Sequence, residues 1–215
     1  METRLQRYCE CMDLLKLRVD VVKEIATGKR TTGFLVPDQE LCCLQIRKSL
    51  ELIAFAGISA NLDRYSQIRA KFHQDWNGKR ILSAIEGINP RFYPIPIKTF
   101  VDGGGELRYE DIRDGFLTKE DLVELYDWCG QRLHSFNPFG TNSQWEDVRD
   151  RLLIEQGKIV RLLNQHRCVL SESDDEIWVN MEDLGNDGKA TAYIFRKIFA
   201  GQHGVAPQTQ NDARP

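Results

Sequence analysis

The chain has 215 residues, 28% of them charged and 41% hydrophobic, with a formal net charge of −3. That length builds a core without disulfide or metal staples, and the charge balance exerts no overall pull towards nucleic acid or acidic membranes. No apolar run reaches the roughly 18 residues of a membrane span, so no membrane partner is expected.

The N-terminus, METRLQRYCECMDLL, turns charged at once, unlike a secretory signal. Six cysteines without a CxxC pair then fit a cytoplasmic protein with reduced thiols better than a disulfide framework. Cys42 and Cys43 read as small hydrophobes. A zinc site from Cys129, His134, His166 and Cys168 lacks the usual ligand spacing, so no metal is expected.

In chain order, residues 3 to 28 predict an amphipathic helix, with Leu5, Tyr8, Met12, Leu15, Val19, Val22 and Ile25 recurring at three or four residues and Gly28 as its stop. Pro37 to Leu62 predicts the central helix, opened by Pro-Asp-Gln-Glu. From Leu50 to Ile58 it is apolar almost all round, the mark of a helix buried by its neighbours. Arg47, Lys48 and Glu51, on its first half, are the charges expected to approach another functional group. Tyr65 to Gln74 and Lys79 to Ile88 read as shorter helices.

The composition changes after Asn89-Pro90. Ile97, Thr99 and Val101 alternate, as do Leu107 and Tyr109, around the loop Asp102 to Gly105, which predicts a small hairpin near 95–112. Gly103-Gly104-Gly105 is a loop tip and not a phosphate loop, because neither GxGxxG spacing nor a Walker lysine accompanies it. No cofactor is expected.

Thr118 caps a helix whose apolar side is Leu122, Leu125, Tyr126, Cys129 and Leu133. RLHSFNPFG breaks it, and Ser143 caps a long helix from Trp145 to about Gln165. From His166 the period becomes two, and CVL, EIWVNM and ATAYIF predict three strands. The fold expected is mainly α (α+β). It comprises a helical bundle over 1–165 with a β-hairpin insertion, an antiparallel β-meander over 166–200 packed on the bundle, and a disordered tail over 201–215.

Chemistry concentrates at the break between the two long helices. His134 can act as acid, base or donor, Arg132 can hold a phosphate, and Asn137 adds a positioning amide. The alternative is structural: His134 bonding freed helix-end carbonyls, with Phe136 and Phe139 plugging the bundle. Between Arg64 and Lys98 seven basic residues stand against two acidic ones, with Tyr65, Phe72, Trp76, Phe92 and Tyr93 interleaved. Arg64, Arg69, Lys71, Lys79 and Arg80 are therefore candidate nucleic-acid contacts, although Phe72 and Trp76, four apart, equally suit a core.

Two helical hairpins, a nearly all-apolar second helix and a histidine-bearing break between long helices resemble the HEPN superfamily of helical bundles, over roughly residues 1 to 165. The family typically carries Arg, four to six residues, then His. Arg132-Leu-His134 has one intervening residue, while Arg161-Leu-Leu-Asn-Gln-His166 has the formal four. On one helix Arg161 and His166 would point about 140° apart. The resemblance implies an RNA-associated protein of a defence or toxin system: a metal-independent endoribonuclease or a degenerate relative, working as a homodimer with two such sets in one cleft. The other reading is a non-enzymatic protein-protein interaction module whose bundle dimerises and whose meander offers a strand edge.

Overall fold

A computed structural model of the protein describes residues 2–68, 78–135, 147–170 and 175–196. Six helices and five strands follow in the order α1 (Glu2–Ala26), α2 (Leu35–Ala60), α3 (Leu62–Ile68), α4 (Gly78–Ile88), β1 (Ile95–Val101), β2 (Leu107–Asp111), α5 (Lys119–Arg132), α6 (Arg149–Leu163), β3 (Gln165–Val169), β4 (Glu176–Asp183) and β5 (Lys189–Phe195). The class is α+β.

α2 is the axis of the bundle. Leu50, Ile53, Ala54, Ala56 and Ile58 are all buried, and α1, α3, α4, α5 and α6 each pack against it. The helix begins at Leu35, two residues before the predicted start, so Pro37 lies in its first turn, where a missing N–H costs nothing. Asp38 holds the incoming loop, accepting from the Thr31 hydroxyl at 2.6 Å and the Thr32 amide at 2.7 Å.

The strands form one antiparallel sheet in the order β2-β1-β3-β4-β5. The hairpin and the meander are thus continuous, joined where Ile95 pairs with Arg167 and Pro96 with His166. Beyond those two pairs the Gln165 side chain links β3 to β1, accepting from the Thr99 hydroxyl at 3.0 Å. Phe100, Val101, Leu107 and Tyr109 stay exposed on the hairpin.

α1 lies between α2 and the sheet, burying the predicted stripe of Tyr8, Met12, Leu15, Val19, Val22 and Ile25. It also grips the turn before β5. Lys16 donates to the carbonyls of Met181 (2.6 Å) and Gly188 (2.5 Å), and Asp13 accepts from the Ala190 amide at 2.8 Å. α6 starts at Arg149, four residues after the predicted Trp145, with the Asp147 carboxylate accepting from the Arg149 amide at 3.1 Å. Ser143, Trp145 and the 201–215 tail lie outside the described residues. Among the described residues no helix is long and apolar enough to cross a membrane.

Candidate nucleic-acid interface at the end of α5

α5 starts as its sequence predicts, with the Thr118 hydroxyl accepting from the Asp121 amide at 3.1 Å. Leu122, Leu125, Tyr126 and Cys129 form its buried face. Trp128 and Arg132, one turn apart, lie beside that face and are half-buried. The Arg132 guanidinium carbon lies 3.9 Å from the centre of the Trp128 ring, and that of Arg151, from the first turn of α6, lies 4.2 Å from the same centre. Arg151 has a carboxylate near it, Glu124 at 3.6 Å. Arg132 has none within ion-pairing distance among the described residues. Its charge at the end of α5 also complements the helix dipole. Leu133 closes the helix and His134 stands exposed just beyond it. Arg132 and His134 thus stand two residues apart at the end of α5, the first half-buried and the second exposed, while Asn137 lies outside the described residues.

Near this end α5 and α2 approach closely. Arg47 lies over the Tyr126 ring, 3.8 Å from its centre, and donates to its hydroxyl at 2.7 Å; that hydroxyl donates onward to Glu51 at 3.0 Å. Burial and the Glu51 carboxylate push the Tyr126 phenol pKa up. A Cβ on Gly130 would sit 2.5 Å from an Arg47 nitrogen, so glycine is what lets the guanidinium cross there. Arg47 and Glu51 do face the helix that ends in the break, while Lys48 is exposed.

The alternative pair separates. Arg161 donates to the Asp114 carbonyl at 2.8 Å, whereas His166 is wholly buried on the sheet side of α1. The His166 Nδ1 faces the Leu163 carbonyl at 2.8 Å and its Nε2 faces the Tyr8 hydroxyl, also at 2.8 Å. A carbonyl only accepts, so Nδ1 carries the proton and Nε2 accepts from Tyr8. The Tyr8 oxygen lies 3.2 Å from the Cys168 sulfur, completing the chain. Burial lowers the His166 pKa to about 4, which keeps the ring neutral. Inaccessible to a substrate, His166 is a structural group.

The basic stretch between Arg64 and Lys98 is altered by its neighbours. Arg64 and Arg80 are exposed, but Lys79 is ion-paired with Asp127 of α5. Tyr65 and Phe92 belong to the core, and the Tyr93 hydroxyl donates to the Leu117 carbonyl at 2.9 Å. Side chains consumed by packing cannot stack on bases, so the interleaved aromatics described here are core residues. Arg69, Lys71, Phe72 and Trp76 lie outside the described residues. No group of three His, Cys, Asp or Glu among the described residues could hold a metal ion.

Trp128 and Arg151 escape the sequence reading. The Trp-x3-Arg spacing of Trp128 and Arg132 was a usable signal, since it places both on one helix face, but nothing local announces that α6 delivers Arg151 to the same ring. Comparison with protein-family models, with curated proteins and with solved structures finds no match.

Proposed function

We propose that the chain binds single-stranded RNA at the C-terminal end of α5. The observation that carries the reading is the pair of guanidiniums held against the Trp128 ring beside the exposed His134. Unstacked bases are bound on aromatic and guanidinium planes, and phosphates by arginine forks. Here the indole holds both arginines in place, so less side-chain freedom is lost on binding. The HEPN-like form of the reading adds chemistry without a metal: His134 would take the 2′-hydroxyl proton or protonate the leaving oxygen, and Arg132 would stabilise charge on the phosphorane.

Anisotropy of a labelled single-stranded RNA, titrated with protein at several salt concentrations, tests binding. Arg132→Ala should weaken it roughly tenfold and reduce the salt slope by about 1, and Trp128→Ala, by freeing both guanidiniums, should weaken it by about 0.5–1.5 kcal/mol for each arginine that must be ordered again on binding. Salt-insensitive or absent binding by the unmodified protein would sink the proposal. Incubation with mixed RNA in EDTA, with and without His134→Ala, separates cleavage from binding alone.

The interaction-module reading draws on the sheet face turned away from α1. There Tyr109 meets Trp178 edge-on at 4.5 Å, Phe195 lies 4.2 Å from Trp178 on the other side, and Tyr193 is exposed. Light scattering across a concentration series tests whether the chain pairs with itself.

A further inference from the structure

We infer that two copies of the chain associate through β2, which pairs antiparallel with itself about Tyr109 so that Arg108 of each copy lies opposite Glu110 of the other. β2 is a terminal strand of the sheet, and all five of its residues are exposed. Its hydrogen bonding shows which backbone groups face the free edge. The Ile112 amide donates to the Pro96 carbonyl at 2.9 Å, and the Asp102 amide to the Glu106 carbonyl at 2.9 Å. In the register that sets Thr99 opposite Tyr109, the even-numbered residues of β2 therefore bond to β1. The amides and carbonyls of Leu107, Tyr109 and Asp111 point outward.

Terminal strands are commonly guarded by proline, lysine, a bulge or a covering element. β2, Leu-Arg-Tyr-Glu-Asp, has neither proline nor lysine, and its pairs with β1 run without a register shift. β5, at the opposite end of the sheet, is guarded: its pairing with β4 is irregular between Asn180 and Asp183, and Asp13 of α1 takes up its Ala190 amide.

Charge selects both the partner and the register. A two-fold axis perpendicular to the sheet keeps each side chain on its own face. Centred on Tyr109, it lets the two Tyr109 residues exchange both backbone bonds, as each Leu107 does with the other copy's Asp111. Arg108 and Glu110 then meet in the closer, non-hydrogen-bonded pairs on either side of the axis. Centring the axis on Arg108 would set that residue against itself and Glu106 against Glu110, and centring it on Glu110 would set two glutamates together. Within its own hairpin Arg108 uses Nε on Asp102 and Nη2 on Glu106, which leaves Nη1 for the incoming carboxylate. Glu110 has no ionic partner among the described residues. Asp111, opposite Leu107, is already paired with Arg167 at 3.0 Å.

Sedimentation velocity of the full chain over a concentration series tests the inference. A strand pair of this length is a small interface, so monomer should convert to dimer reversibly as concentration rises. Glu110→Arg and, separately, Arg108→Glu should each weaken self-association by about tenfold or more, because both cross-strand pairs become like-charged. An equimolar mixture of the two variants should associate again, since every pair is then of opposite charge. Far-UV circular dichroism checks that Arg108→Glu keeps its hairpin; if it does not, Glu110→Arg decides alone, because Glu110 holds nothing in its own copy. A parent that stays monomeric at every concentration would overturn the inference. So would a dimer that Glu110→Arg leaves unchanged, which would place self-association on another surface, or two folded variants that fail to associate when mixed. RNA binding at α5 enters none of these readouts, so this inference and the functional proposal stand or fall separately.

Discussion

His166 has both ring nitrogens satisfied and none to spare, which makes its protonation a question of stability. Its folded pKa of about 4 lies below the ordinary 6.5, so between those values the unfolded chain binds a proton that the native one refuses. Stability from this residue is therefore complete above about pH 6.5 and is lost as pH falls towards 4, by about 3 kcal/mol in all. The urea midpoint should drop between pH 7 and pH 5 by the equivalent of about 2 kcal/mol; an unchanged midpoint would show that the ring is free to charge. Tyr8→Phe removes the hydroxyl that bonds both His166 and Cys168. Leaving those buried groups unpaired should cost about 1–3 kcal/mol, read from the same titrations.

Glycines divide the helices at the scale of the element. Gly157 in α6 has nothing within 4 Å of a built Cβ, so Gly157→Ala should stabilise by about 0.5–1 kcal/mol through helix propensity alone. Gly57 in α2 is different, because a Cβ there meets Ile85 at 3.1 Å and Phe92 at 3.4 Å. Overpacking costs about 1–3 kcal/mol, more than the propensity gain, so Gly57→Ala should lower the melting temperature while Gly157→Ala raises it. Scans of the two variants beside the parent decide both signs. Elements of this kind were legible in the sequence because helical and strand periods are local. The stripe from Leu5 to Ile25, the Thr118 cap and the three C-terminal strands all announce themselves within a few residues. Contacts that span the chain were not legible. The β1–β3 junction rests on two residue pairs, and the Tyr8–His166 bond links positions 158 apart. Of the candidate site, Arg132 and His134 could be read from the helix break, but Arg151 arrives from another helix and leaves no local trace.

For the whole molecule, the sheet and the bundle share a core through α1. One face of that helix meets α2, and other positions on it bond β3 through Tyr8 and the β4–β5 turn through Lys16 and Asp13. Truncation after Asn164 should therefore not leave an intact bundle. Tyr8, Met12 and Leu15 would lose cover, and the fragment should keep far-UV helicity while losing near-UV signal and binding ANS. A truncated chain with native near-UV signal and no ANS binding would show that the bundle is self-sufficient.

The embrace of the first helix by the last strands also sets a schedule for biosynthesis. At 5–20 residues per second, His166 is made about 8 to 30 s after Tyr8, its partner 158 residues earlier. Throughout that interval α1 and α2 can pair on the ribosome, but the sheet side of α1 has nothing to lie against. A chaperone that holds apolar helices would find its binding site there, and translation of the last strand ends the need for it.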